Sequence, residues 1–243
     1  MAVNKKGENP QVTLWERLER PAPAPRQTLT PQRIATVAVE IADAHGLDAI
    51  TMRRLAAELG VAPMAAYRYV SGKDDVLELM VDQVNGEVAL PEGAGWRETM
   101  RALAVGTRDL ALRHPWLAHL PPRTALALTP NRHAVMERLF GTLDGLGLDA
   151  DAKLVVIKTV DSYAQGTAHA EVAMRELMAG QGWSSGADLR AGLAPQMSWL
   201  MSTGRYPAFL RYLREAARKD DLAWQFETGL TYVLDGIATG LGI

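Results

Sequence analysis

Between Gly46 and Lys73 the chain reads GLDAITMRRLAAELGVAPMAAYRYVSGK, and this stretch gathers the side chains best suited to touching nucleic acid. Arg68 and Lys73 can neutralise phosphates, and the hydroxyls of Thr51, Tyr67 and Tyr69 can hydrogen-bond them. Arg53 can address a base edge, most naturally guanine, while Pro63, Met64 and Ala65 are small or apolar enough to approach bases closely and meet a thymine methyl. Two tyrosines, an arginine and a lysine are hard to bury together, which weighs against a helical corner packed inside a larger bundle. For Arg53 the plain alternative is a solvated helix face.

Other chemistry is poorly supported. Gly182-Trp183-Ser184-Ser185-Gly186 fits G-x-S-x-G, but a nucleophile elbow needs a strand before the serine, and a helical run precedes this one. It reads as a loop. His45, His114, His119, His133 and His169 show no metal-ligand spacing, and no glycine loop suited to cradling phosphate is present. No catalytic residue, metal ligand or cofactor is expected, and the chain is not expected to be an enzyme.

The candidate contact residues need elements to hold them. Thr51 can cap a short helix with Leu55, Ala56 and Leu59 at helical spacing, and Gly60 can end it in left-handed geometry. Val61 follows as a buried pivot. A second short helix is predicted from about Ala62 to Val70, with Ser71 and Asp74 as a capping box for the next. Two short helices joined by a glycine turn are the pattern of a helix-turn-helix, whose second helix enters the major groove. Before them, Thr30 and Pro31 start a helix with the apolar stripe Ile34, Val37, Ala38, Ile41 and Ala42.

Further helices are predicted over 74–85, 96–113, 152–178, 188–201 and 222–241, with one opened by Thr129 and Pro130 and one after Pro207. His114 to Pro122 reads as a long irregular connection. No stretch sustains strand alternation, so the fold class is all-α. Residues 1–28 read as a flexible arm: Pro21, Pro23 and Pro25 cannot be helical, and only WERLER at 15–20 can form a helical turn or docking contact. A sharper reading has Lys5, Lys6, Arg17 and Arg26 adding phosphate or minor-groove contacts.

Composition is compatible with this. At 243 residues the chain can hold two cores. It has no Cys, no apolar signal core and no run of membrane-spanning length, so a cytoplasmic protein with no membrane partner is expected. The net charge is −2, and residues 1–75 carry ten Lys/Arg against nine Asp/Glu. Any attraction to DNA must therefore come from a few local residues, doubled in a dimer.

Residues 29–80 resemble the N-terminal domain of the TetR (tetracycline-repressor) family of transcriptional regulators. The resemblance lies in an L-T-x-x-x-I start, A-x-x-x-x-x-x-x-G-L-D before the first turn, T-x-R-x-L-A-x-x-L-G-V, and Y-x-Y-V-x-x-K-D. HPWL at 114–117, SYAQGTAHAE at 162–171 and FETGLTYVLDGIA at 226–238 are similar to the C-terminal domain of the branch containing the tetracycline repressor itself. Two departures stand out: Ala62 where the family often has Ser or Thr, and Ala66 where Leu is more usual.

The resemblance implies a helix-turn-helix DNA-binding domain over 29–74 and a helical ligand-binding and dimerisation domain over 75–243. It implies a homodimer pairing through the long and last helices, where Gly166, Gly229, Gly236 and Gly240 permit close contact, and hence a palindromic double-stranded operator. It also implies a pocket for a small-molecule effector, with Thr107, Leu110, Trp116, Glu137, Phe140, Asp161 and Met197 as lining residues. The tryptophans and methionines of this domain suit a largely apolar effector. Asp161 and Glu137 would favour a cationic or hydrogen-bonding one, although Lys158 offers Asp161 an i,i+3 ion pair. Ligand would shift the helix at 74–85 and release DNA. Alternatively, a chain of this kind can keep the fold as a ligand sensor or scaffold without specific DNA binding.

Overall fold

The computed structural model describes residues 12–19 and 29–243. Pro21, Pro23, Pro25, Lys5, Lys6 and Arg26 lie outside the described residues. Among the described residues there are twelve α-helices and no strand. They are α1 (Leu14–Glu19), α2 (Pro31–His45), α3 (Met52–Leu59), α4 (Pro63–Ala66), α5 (Lys73–Asn85) and α6 (Trp96–Arg113), then α7 (Pro122–Ala125), α8 (Pro130–Thr142), α9 (Ala150–Gln181), α10 (Gly186–Ser202), α11 (Pro207–Glu215) and α12 (Leu222–Leu241). The connection after α6, expected to be irregular, contains a 3-10 turn at Pro115–His119 and the single turn of α7, each opened by a proline. No helix among the described residues is long and apolar enough to cross a membrane.

The chain packs as two compact units. One holds the residues up to Glu87 together with His114–Met136, and the other holds Val88–Arg113 with Glu137–Ile243. In the first, α2 packs against α3 and α5. Ile34, Ala38 and Ile41 of α2 meet a core shared with Leu55, Ala56 and Leu59 of α3 and Val76, Leu77 and Met80 of α5, all buried. The Thr30 hydroxyl accepts from the Arg33 amide at 3.1 Å, and Pro31 follows at the first helical position, so the start of α2 is the one its sequence specifies. In the second unit α9 packs against α6 and α12, burying Met100, Leu103, Val160, Ala164, Leu230 and Leu234.

Residues 12–19, expected in a flexible arm, instead dock on the first unit. Leu14 is buried, and the Arg17 guanidinium pairs with Asp75. That ion pair engages one end of the Arg17 guanidinium. The Thr129 cap on α8 is also corrected. The Thr129 hydroxyl is buried without a partner among the described residues, and Asp82 of α5 reaches across instead, accepting from the Asn131 amide at 2.7 Å and its side-chain nitrogen at 3.0 Å.

Candidate nucleic-acid interface and helical effector domain

The helix-turn-helix is built as its residues require. The Thr51 hydroxyl accepts from the Arg54 amide at 3.1 Å, closing the start of α3. Gly60 ends it at φ 66°, ψ 31°, a left-handed conformation that a side-chain-bearing residue adopts only with strain. Leu55 and Val70 are buried, so the turn is fixed by apolar packing on both sides.

Four expectations for this segment are revised. The second helix, expected over 62–70, is a true α-helix only at Pro63–Ala66, and Tyr67–Tyr69 continue as turns. Ala62 at the N-cap has no side-chain acceptor, and Tyr67, Tyr69 and Val70 lose side-chain freedom in a helix, so both ends are weak. Val61 is half-buried, not buried. The capping box of Ser71 and Asp74 is absent. Asp75 occupies that role, accepting from the Ser71 amide at 2.6 Å and hydroxyl at 2.8 Å, while Gly72 sits at the N-cap with no side-chain bond. Finally, Lys73 is not wholly free, since its ammonium donates to the Leu47 carbonyl at 2.9 Å.

Thr51, Arg53, Pro63, Met64, Tyr67, Arg68 and Lys73 are exposed, and Ala65 and Tyr69 are half-buried. Met64 is 74% exposed. The structure therefore presents an apolar tip flanked by two arginines and two tyrosine hydroxyls on one short helical pair. Ala66, where a larger residue was noted as usual, is fully buried.

Asp43 holds a buried polar contact that sequence reasoning missed. Near the end of α2, its Oδ1 lies 2.8 Å from His114 Nδ1 and accepts from Trp116 Nε1 at 2.8 Å. Trp116, expected to line an effector pocket, is thus a buried member of the first unit, held by the DNA-reading fold. His-Pro-Trp spacing carries no signal of an aspartate seventy residues away.

Of the remaining expected pocket residues, the second unit brings Thr107 and Asp161 together. The Thr107 hydroxyl is 3.5 Å from Asp161, which also accepts from Gln165 at 2.7 Å. Leu110 is buried on α6, Phe140 and Met197 are half-buried on α8 and α10, and Glu137 is exposed on α8. Close to the Thr107 pair is a polar interior that sequence reading missed. Arg108 donates to Glu171 at 2.6 Å, Arg175 donates to the same carboxylate at 2.6 Å, and the Arg108 guanidinium lies 5.0 Å from the Phe226 ring centre. The Tyr163 hydroxyl donates to the Phe226 carbonyl at 2.8 Å, and burial, followed by the Glu227 charge, raises its pKa above the usual tyrosine value.

The G-x-S-x-G segment is structural. Ser184 and Ser185 both donate from backbone and hydroxyl to Asp188, and Ser185 caps α10 in a reciprocal box. The Ser184 amide, then the two hydroxyls, hold the Asp188 carboxyl below the usual aspartate range. A serine hydroxyl donating to its own cap is not poised as a nucleophile.

A helix-turn-helix with exposed arginines, followed by a larger helical unit carrying a partly buried polar interior, defines a class: DNA-binding regulators with a helical sensing domain. Residues 34–80 match the family model described as bacterial regulatory proteins, tetR family, and residues 89–241 match that of the tetracyclin repressor-like C-terminal domain. The chain belongs to the TetR family of helix-turn-helix transcriptional regulators.

It is 34% identical over 227 residues to the HTH-type transcriptional repressor DrrR1 of Streptomyces coeruleorubidus, covering 92% of this chain and 83% of that protein. It is 32% identical over 239 residues to an HTH-type transcriptional regulator of Saccharopolyspora erythraea, covering 95% and 93%. Among solved structures, the TetR family protein ActR of Streptomyces coelicolor in complex with actinorhodin superposes with a TM-score of 0.69 at 27% identity, covering 88% of this chain and 97% of that one. Apo ActR superposes with a TM-score of 0.67, also at 27% identity, covering 89% and 100%.

Proposed function

We propose that the protein is a repressor that binds a palindromic operator as a homodimer and releases it when a small molecule occupies the helical domain. The observation that carries this is the exposed surface of Arg53, Pro63, Met64, Tyr67 and Arg68, with Ala65 half-buried among them, on a helix-turn-helix whose first helix is capped by Thr51, within a family of DNA-binding regulators. Arg53 reads a base edge, and Pro63, Met64 and Ala65 make close apolar base contacts. Thr51, Tyr67, Arg68, Tyr69 and Lys73 hold the backbone, Lys73 with the protons that Leu47 leaves free. Residues 29–74 are the reading segment and 75–243 supply sensing and pairing, although 75–87 and 114–136 pack with the reading segment. The protein works in the cytoplasm, without catalysis.

Pairing is supported by the outer faces of α9 and α12. Val155 is 61% and Tyr232 71% exposed, and Gly166, Gly236 and Gly240 have open space where a side chain would project. Gly229 has an internal duty instead, because a Cβ there would overlap the Tyr163 hydroxyl. The effector pocket is drawn around Thr107, Leu110, Phe140, Asp161 and Met197. ActR, a structural neighbour, has been solved with actinorhodin, and an organic ligand of the same broad kind is the natural effector class here. Glu137 and Trp116 fit this set less well, being respectively exposed and bonded to Asp43.

Signal passes to the reader through three covalent routes: the segment after α5, the segment after α6 that Asp43 grips, and α8, which runs from one unit into the other. Sedimentation equilibrium of the free protein tests pairing directly. A species of twice the 26.4 kDa chain is expected, and a monomer at micromolar concentration would defeat the homodimer.

A further inference from the structure

α6 ends at Arg113, and the residues that follow it at once, His114-Pro115-Trp116, belong to the first unit. His114 and Trp116 are 7% and 3% exposed, so this junction is no slack linker. Pro115 stiffens it further by fixing a backbone angle at the start of the 3-10 turn. The His114 ring reaches two elements: Nδ1 lies 2.8 Å from Asp43 near the end of α2, and Nε2 lies 3.5 Å from Glu87 beyond the end of α5. Asp43 also accepts from Trp116. It stands shortly before Gly46, where the 3-10 turn Leu47–Ala49 begins and leads to the Thr51 cap of α3. Lys73 holds that same turn from α5, through the Leu47 carbonyl.

We infer that Asp43 is a positioning residue for operator reading, which carries a displacement of the α6 end into the turn that sets α3. The inference rests on the effector-released repressor proposed above and names the contact through which release travels. Thr107 and Leu110, expected to meet the effector, stand within about two turns of the end of α6, so the lever between ligand and junction is short. A hydrogen bond of 2.8 Å leaves bonding range after a displacement of about 0.7 Å, and the buried indole then has no acceptor. Packed side chains of this kind have discrete arrangements instead of a continuous range. The junction is therefore either gripped or released, and α2 feels which.

Hydrogen exchange of the purified protein, with and without a saturating duplex recovered by repeated selection, tests this. Coupling is reciprocal, so if the α6 end acts on reading, bound DNA must act on the α6 end. On DNA binding, exchange in 107–113 should change at least about fivefold in the wild type and in Asp43→Asn, whose oxygen keeps both bonds, and less than about twofold in Asp43→Ala. DNA should slow exchange in 62–70 in all three proteins. A merely structural Asp43 would lower the stability of the alanine variant and leave the response of 107–113 in place. If Asp43→Ala alone does not fold, Asp43→Ala combined with Trp116→Phe, which orphans no indole, takes its place with the same expectation. The inference is overturned by an undiminished response of 107–113 in the alanine variant, or by no response there in a wild type whose 62–70 segment is protected. If no duplex protects 62–70, operator reading itself fails and the inference falls with it.

Discussion

The Asp43 hub makes a quantitative demand on stability. One oxygen, Oδ1, serves both His114 and Trp116, each at 2.8 Å, and Trp116 is 3% exposed. Asp43→Ala leaves the indole N–H buried without an acceptor, and an unsatisfied buried donor costs about 1–3 kcal/mol, with more lost from the His114 contact. The expected total is about 2–4 kcal/mol off the stability of the first unit. Asp43→Asn keeps an oxygen able to accept both bonds and loses only the charge, so about 1 kcal/mol is expected. Adding Trp116→Phe to Asp43→Ala removes the orphaned donor, and the double-mutant cycle should return a coupling of about 1–2 kcal/mol. Urea unfolding followed by far-UV circular dichroism reads all of these. An Asp43→Ala cost below about 0.5 kcal/mol, the level of an ordinary surface substitution, or an asparagine as damaging as alanine, would refute the hub.

Three further outcomes are expected. Arg53→Ala should cost about 1–3 kcal/mol of operator affinity and relax specificity at one position per half-site, whereas a uniform loss across sequences in a binding assay would make Arg53 a phosphate contact. Gly229→Ala gains about 1 kcal/mol of helix propensity but forces Tyr163 from its bond to Phe226, and overpacking of about 1–3 kcal/mol should leave the variant net destabilised in thermal melts; a stabilised variant would contradict the packing of α9 on α12. Burial, then the neighbouring Asp75 charge, raises the Glu78 pKa, so the folded state holds this proton more tightly than the unfolded one. Its stabilising effect is then present at acid pH and lost as pH rises through the carboxylate range. Glu78→Gln should give a slightly higher Tm at neutral pH and a flatter pH profile, and an unchanged profile would remove Glu78 from consideration.

Local patterns in the sequence carried most of the fold. Thr30-Pro31, Thr51 and Gly60 specify their helix ends through their own backbone chemistry, and α6 and α12 fall where their apolar spacing puts them. Caps slipped where the acceptor differed from the expected one: the neighbouring Asp75 in place of Asp74 for Ser71, and Asp82 of another helix in place of Thr129 for α8. The recognition segment was over-extended because its apolar spacing continues to Val70 while its backbone does not stay helical past Ala66. The contact surface was legible because exposed Arg, Tyr and Met on short helices are visible in composition. The interior of the helical domain was not, because Arg108, Glu171 and Tyr163 read as ordinary surface residues until α6, α9 and α12 bring them together. Trp116 shows the same limit from the other side, its partner being set by a long-range contact.

Operator reading is tested most directly by repeated selection of the purified protein on random duplex DNA, with a salt titration on whatever is enriched. A dimeric reader should enrich a palindrome with half-sites about one helical turn apart and lose affinity steeply as salt rises. Folded, dimeric protein that enriches no sequence would contradict operator reading and leave ligand sensing as the main activity of the fold.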